Sequence, residues 1–522
     1  MVAIAAIVAG TAAAATSEIE PSRMKFSGLT SVPYFELNPP ALNDFSDNFA
    51  STGTFTSPGS TSGSSFTVAS NQGTIALTSG AANQNYFLNE SSGTNVTIPQ
   101  FFVQVDVPSI PSPGTSSYDA LGIGLCKDTN NYVYAEIDRL GNVARVEIKI
   151  AGTSSFLGNS SFTLPSTNFT LGFSLVGNSA GVWFKNNATG GAWQSLATAD
   201  VSSKYDFRTS GNLTGWKAGL ILASGNNSTW KFANLMCGRF GGVGMRDMCI
   251  VTNEDGAPYF SGNKVYFSAS VPDATGASYM GIFTLDLSSN TLAQAGAVMF
   301  SRSGKAYTDL AGHIIWYSNG NRRVLVSTWG NGFGGSILLN HALLTSGDIL
   351  AGTSLVTLSP LTVPLGTSGA GAYDPMLLYD SSTSLWWLAY SITNNTSFSG
   401  NPFYAALATS PDLSTWTLVG ADTANTGYEG TRILRANKKL WVLAGGPSGA
   451  GNSSRIYDSG MNYIGSLPAA VFSGGSSTQP HPMVFNDVDG KHQTLFTFDN
   501  TKFGSANFTW GQPTIQKSPR FW

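Results

Sequence analysis

From about residue 241 onward, one pattern of apolar and polar positions recurs. A polar residue opens a short apolar run, a polar turn follows, and a second apolar run returns. Asp247 precedes Met248 to Val251, the turn Asn253 to Gly256, and Lys264 to Phe267. Asp374 precedes Pro375 to Tyr379, the turn Asp380 to Ser384, and Leu385 to Tyr390. Glu429, between Gly427 and Gly430, precedes Ile433 and Leu434, the turn Asn437 to Lys439, and Leu440 to Ala444. His481 precedes Pro482 to Phe485, the turn Asp487 to Gly490, and Thr494 to Phe498. A fifth, less regular copy runs from His313 through Tyr317 and Asn319 to Asn321 into Val324 to Val326. Each copy reads as a β-hairpin led by a polar group. One hairpin cannot bury its faces alone, so a repeat of roughly 50 residues predicts radial repetition in a five-bladed β-propeller.

Between about Leu42 and Phe240 the period changes to two. Phe101 to Val107, Tyr132 to Ile137, Val143 to Ile150, Leu171 to Val176 and Val182 to Phe184 alternate between Ser/Thr/Gly/Asn turns. Many short strands without helical periods predict a β-sandwich. Ahead of it, residues 1–16 are small and apolar, like the core of a signal peptide with an Ala-rich cleavage site, but no basic segment precedes them. The alternatives are an attachment segment to a larger assembly, as on a virus particle, or a frayed terminus. Residues 17–40 carry Pro21, Pro33, Pro39 and Pro40 and read as a linker. The expected division is therefore residues 1–40 as signal or attachment segment and linker, 41–240 as sandwich, and 241–522 as propeller.

Composition narrows the class. With 522 residues the chain exceeds one ordinary core. Only 11% of residues are charged and 59 are glycine, which suits a turn-rich, extracellular all-β protein. A net charge of −3 without basic clusters argues against nucleic acid as partner. Beyond the first segment no apolar stretch is long enough to span a membrane as a helix. Cys126, Cys237 and Cys249 have no metal-site spacing. Cys237 and Cys249 either pair or serve as small apolar residues.

The polar residues that open inner strands of a propeller meet at one mouth of its channel. Asp247, Asp374, Glu429 and His481 would then share a cleft, where crowded carboxylates push one pKa upward and keep that acid protonated. Glycoside hydrolysis needs such a pair: one acid to protonate the leaving oxygen, one carboxylate to activate water or attack carbon. Arg246 and Arg432 flank the carboxylates and either clamp sugar hydroxyls or pair with the acids. Among Trp316, Trp329, Trp386 and Trp387, blade packing is the expected use of most. Trp329 is retained as a candidate for stacking on sugar.

Several phrases resemble a known family. Arg246-Asp247-Met248, Tyr373-Asp374-Pro375, Tyr428-Glu429-Gly430, the outer-strand phrase Thr409 to Trp416 and the axial His481 are similar, in order and spacing, to the five-bladed propeller of glycoside hydrolase family 43. Met248 and Thr431 stand where that family usually has proline. The segments Asn43 to Phe49, Ala218 to Leu222 and Trp230 to Leu235 resemble the first and last strands of concanavalin-like jelly-roll domains, which often bind glycans. The resemblance implies Asp247 as general base, Glu429 as general acid and Asp374 as the group that tunes the acid, with inversion. It implies a polysaccharide of the arabinan or xylan type as substrate. His481 would bind substrate or sit beside a calcium or sodium ion in the channel, and no other cofactor is implied. The rival expectation is a glycan-binding adhesin or virion tail protein with a weak or inactive propeller. A secreted location, or else a virion surface, follows from these two readings.

Overall fold

The computed structural model describes residues 26–32, 34–49, 55–56, 64–77, 84–88, 96–110, 119–165, 167–224, 228–275, 277–331, 337–366, 371–393, 403–436, 438–446, 454–467, 481–488, 490, 492–499 and 511–518. Residues 1–16, with the signal or attachment segment expected there, lie outside them. The fold is all-β. Among the described residues no helix is long and apolar enough to cross a membrane.

The N-terminal half is a sandwich of two antiparallel sheets. One has the order Thr153–Ser161, Val143–Ile150, Asn131–Asp138, Asp119–Asp128, Lys217–Ser224, Gln84–Leu88, Phe55–Thr56. The other runs Gln194–Asp200, Ser179–Asn186, Thr167–Val176, Gln100–Ser109, Ser228–Gly238, Gln72–Leu77, Ser64–Ala69, with Asn43–Asp47 also paired to Ser228–Gly238. Period-two alternation explains the core. Phe101, Val103, Val105 and Val107 share one buried cluster with Ile123, Leu125, Phe169, Leu171, Phe173 and Trp230. Phe102 and Trp183 face the other way and are still fully buried, because they pack against Phe240, at the end of the sandwich segment, in one cluster with Met245 and Tyr279 of the second half. Each such burial is worth about 1.5–3 kcal/mol. Polar contacts fix the same junction: Gln100 Nε2 donates to Phe240 O at 2.9 Å, Tyr34 Oη to Gln294 Oε1 at 2.7 Å, and Gln294 Nε2 to Tyr279 Oη at 2.8 Å.

The second half consists of five sheets whose innermost strands are Arg246–Ile250, Leu310–Trp316, Gly371–Asp380, Glu429–Ala436 and Met483–Asn486. Each touches the inner strand of the next sheet, and the fifth sheet returns to the first, which is the cyclic order of a five-bladed propeller. The third blade shows the plain form, Gly371–Asp380, Leu385–Thr393, Phe403–Ser410, Thr417–Ala421. In its outer turn Asp412 Oδ1 accepts the N–H groups of Ser414 and Thr415, both at 2.8 Å. Cys126, Cys237 and Cys249 are buried and free, so no bond joins Cys237 to Cys249. The last two lie in different cores, Cys237 in that of the sandwich and Cys249 in the propeller cluster.

The fifth blade corrects the expected linker. Its order is Met483–Asn486, Gln493–Asp499, Gln512–Lys517, Ser27–Ser31, so its outermost strand comes from ahead of the sandwich. Thr30 pairs with Ile515 and Ser31 with Thr514. Tyr34, Leu37 and Leu42 continue into the core shared by both halves. Proline content suggests an unpaired segment, but Pro39 and Pro40 only set a single 3-10 turn before Asn43–Asp47. Deleting residues 1–31 should therefore lower the melting temperature by about 5 °C or more. It should also speed amide exchange across Gln512–Lys517 while leaving the sandwich amides unchanged. An unaltered melting temperature and exchange pattern would mean that the ring does not need this strand.

Candidate active site

Four of the five inner strands begin with a slip in register against the second strand of the blade. The slips fall between Arg246 and Cys249, Leu310 and His313, Tyr373 and Met376, and Glu429 and Arg432. Inside each lies one residue with left-handed backbone: Asp247 (φ 53°), Ala311 (51°), Asp374 (55°) and Gly430 (63°). His481, just ahead of the fifth inner strand, has φ 55°. Bulges of this kind re-aim a side chain at the end of a strand. The conformation costs a residue with a Cβ about 1–3 kcal/mol. Hydrogen bonds from the preceding blade hold it: Ser270 Oγ accepts the Ala311 N–H at 3.4 Å and Ser327 Oγ the Asp374 N–H at 3.0 Å.

This ring corrects two equivalences read from the sequence. Glu429 is not the counterpart of Asp247, Asp374 and His481; Gly430 is, and Glu429 stands one residue earlier, in the place of Arg246 and Tyr373. A Cβ on Gly430 would lie 2.3 Å from the backbone nitrogen of His481, so no side chain fits there. In the second blade the ring position belongs to Ala311, while His313 sits two residues further along, fully buried. Its Nδ1 accepts the Leu377 N–H at 3.1 Å and its Nε2 meets Thr252 Oγ1 at 3.0 Å. It therefore ties the second blade to the third and is structural. Thr431, the residue after Gly430, donates its N–H to Ser391 Oγ at 3.4 Å, and the two hydroxyls meet at 3.0 Å.

The structure brings Asp247, Asp374, Glu429, Arg246, Arg432 and His481 together. Asp247 Oδ1 meets Arg246 Nε at 3.0 Å and His481 Nε2 at 3.2 Å. Asp374 Oδ2 accepts the Gly430 N–H at 3.0 Å and lies 3.8 Å from the same His481 nitrogen. The two aspartates, sharing one neighbour, are thus no more than about 7 Å apart. Burial alone would raise the Asp247 pKa, but the Arg246 guanidinium and the His481 hydrogen bond outweigh it and hold this carboxyl well below the usual range. Glu429 moves the other way, to about 7, because protein around it excludes water and Asp374 and Asp247 repel its charge more than Arg246 offsets. Glu429 and Arg246 are half-buried at the open side, with Asp247, Asp374 and His481 buried behind them.

Two sequence candidates take other roles. Arg432 is 1% exposed, and its terminal nitrogens are spent on backbone carbonyls and on His481, so it neither clamps a sugar nor pairs with an acid. His481 is equally buried, with both ring nitrogens facing protein, so it does not touch substrate. Trp329 opens a short turn, Trp329–Asn331, with its ring 5.3 Å from Tyr373, the neighbour of Asp374; Tyr373 meets Phe403 edge-on at 5.3 Å. Buried Asp309, unremarked in the sequence, fixes that turn: it accepts the Gly330 N–H at 3.0 Å and is gripped by Arg302 at 2.8 and 2.9 Å. Trp316 ends its inner strand, at the end opposite the ring, and packs between Tyr259 and Arg322.

No family model matches the chain, and no curated protein does. Among solved structures, a thermostable family-43 glycoside hydrolase is similar at 13% identity and a TM-score of 0.38, over 52% of this chain and 88% of its own. A levansucrase from Bacillus subtilis is similar at 12% identity and 0.36, over 49% and 79%. The carbohydrate-binding module CBM66 from Bacillus subtilis is similar at 10% and 0.26, over 35% and 96%. The fold described above rests on the strand pairing itself.

Two outcomes follow from the ring. Gly430→Ala should cost about 2 kcal/mol or more, read by urea unfolding, since it combines a strained φ with a collision against the His481 backbone. The raised Glu429 carboxyl binds its proton more tightly in the folded chain, so its contribution to stability is complete below the ordinary value of 4.5 and is lost as pH rises toward about 7. Glu429→Gln should accordingly reduce the loss of stability between those two pH values. An identical pH profile for both proteins would remove Glu429 from the buried cluster.

Proposed function

We propose that the protein is a glycoside hydrolase that cleaves a polysaccharide with two carboxylates, Glu429 as general acid and Asp247 as general base acting on water, with inversion. The observation that carries this reading is one cluster in which Asp247 is held by Arg246 and His481 while Glu429, beside the ring, is crowded by Asp374 and Asp247, so that the two carboxyls are displaced in opposite directions. Asp247 is pinned as the anion by Arg246 and His481, and both donors fall on Oδ1, which leaves Oδ2 for a water. Glu429 keeps its proton up to about neutral pH and stands at the accessible side. Carboxyls with their pKa values pushed apart are the acid and base of glycosidases. Asp374 tunes the acid through its charge and anchors the Gly430 amide next to it. Trp329 offers a ring face on which a sugar unit stacks beside the carboxyl cluster.

Glu429→Gln should lower kcat by about 10² to 10⁴ on a polysaccharide and far less on an activated aryl glycoside, whose leaving group needs little protonation. Asp247→Asn should be crippling on both. The kcat/KM profile should fall on its alkaline side near pH 7, where Glu429 loses its proton, and on its acid side below the ordinary carboxylate range. Binding without any release of reducing ends, across a panel of polysaccharides, would sink the hydrolase reading in favour of a glycan-binding protein.

A further inference from the structure

Beneath the carboxylates the channel holds a guanidinium. Arg432 donates from Nη1 to Asp374 O at 3.1 Å and to Thr431 O at 3.0 Å, and from Nη2 to Met248 O at 3.2 Å and to His481 Nδ1. Its partners belong to the first, third, fourth and fifth blades. Carbonyl oxygens converging on the axis are what a buried positive charge requires, and here a side chain supplies that charge. Arginine stays protonated at every working pH, so the imidazole nitrogen facing it presents a lone pair. His481 therefore carries its proton on Nε2, the atom 3.2 Å from Asp247.

We propose that Arg432 is the built-in cation of the channel and a positioning residue for the site, fixing His481 as a neutral Nε2–H donor to Asp247. The family resemblance implies a calcium or sodium ion beside His481, and these residues do not fit one. Both ring nitrogens are engaged by protein, and an ion there would stand against a fixed positive charge. The charged groups around His481 are Arg432 from the fourth blade, Asp247 with Arg246 from the first and Asp374 from the third, with Glu429 nearby. On the second blade His313 is kept neutral, its pKa lowered to about 3 by burial and by the Arg432 charge. The kinetic part of this inference rests on the hydrolase reading; the tautomer does not.

The tautomer is read directly in protein carrying ¹⁵N-labelled histidine, with the His481 signals assigned by their loss in His481→Gln. Nδ1 should resonate with unprotonated and Nε2 with protonated imidazole nitrogens, unchanged on adding EDTA. A protonated Nδ1 or a shift on chelation overturns the proposal, whether or not the protein hydrolyses anything. With activity in hand, His481→Phe should lose about 100-fold in kcat at nearly constant KM, and the acid limb of its pH profile should move toward neutrality. His481→Gln, which restores an N–H near the Nε2 position, should recover most of the loss. Arg432→Lys keeps the charge but not the fork, and should shift the acid limb in the same direction. An acid limb unmoved in both Arg432→Lys and His481→Phe would reduce these residues to packing and overturn the positioning role.

Discussion

A residue with left-handed backbone at the head of a strand departs from the strict alternation of side chains across a sheet, and the ring of five such residues is the constraint on which the site depends. Asp247, Ala311, Asp374, Gly430 and His481 each sit in that conformation at the same level of successive blades. The backbone is disfavoured for four of them, and the surrounding blades hold it in place through hydroxyls such as Ser270 and Ser327. The charges then settle by proximity. His481 contacts one carboxylate closely and a second at longer range, Arg246 adds a second donor to the first, and Glu429, displaced by a residue, is left with repulsion as its main electrostatic company.

The two halves are not beads on a string. One apolar cluster contains Phe102 and Trp183 from the sandwich, Tyr34 and Leu37 from the segment before it, and Met248, Phe267 and Phe496 from the propeller. A face of the sandwich that would otherwise be wet is thereby dry, and Gly172 leaves room for the side chains of Phe102 and Trp183. The first blade, which carries Arg246 and Asp247, is the one braced by this contact.

Much of this is legible in the sequence because apolar periodicity reports burial directly. The five hairpins, the all-β class and the convergence of Asp247, Asp374, Glu429 and His481 all follow from it. Register at the bulges does not follow, since no alternation of side chains encodes a left-handed φ. A polar residue two places along, His313, therefore looks equivalent to the ring although Ala311 holds that position. Arg432 misleads for a different reason: a charge beside an acid looks like an ion pair, whereas its neighbours Ile433 and Leu434 already mark a buried strand. The closing strand Ser27–Ser31 has too few residues for a pattern.

That closure gives the chain a peculiar history during synthesis. Ser27–Ser31 is made before the sandwich, and its partner Gln512–Lys517 after the fourth blade. The whole sandwich and four complete blades are translated between the two, so the loop that must close spans both halves. Until Gln512–Lys517 is made, the early strand waits without the partner it pairs with in the folded chain. A chain broken off ahead of Gln512 leaves the blade that follows His481 without its closing pair of strands.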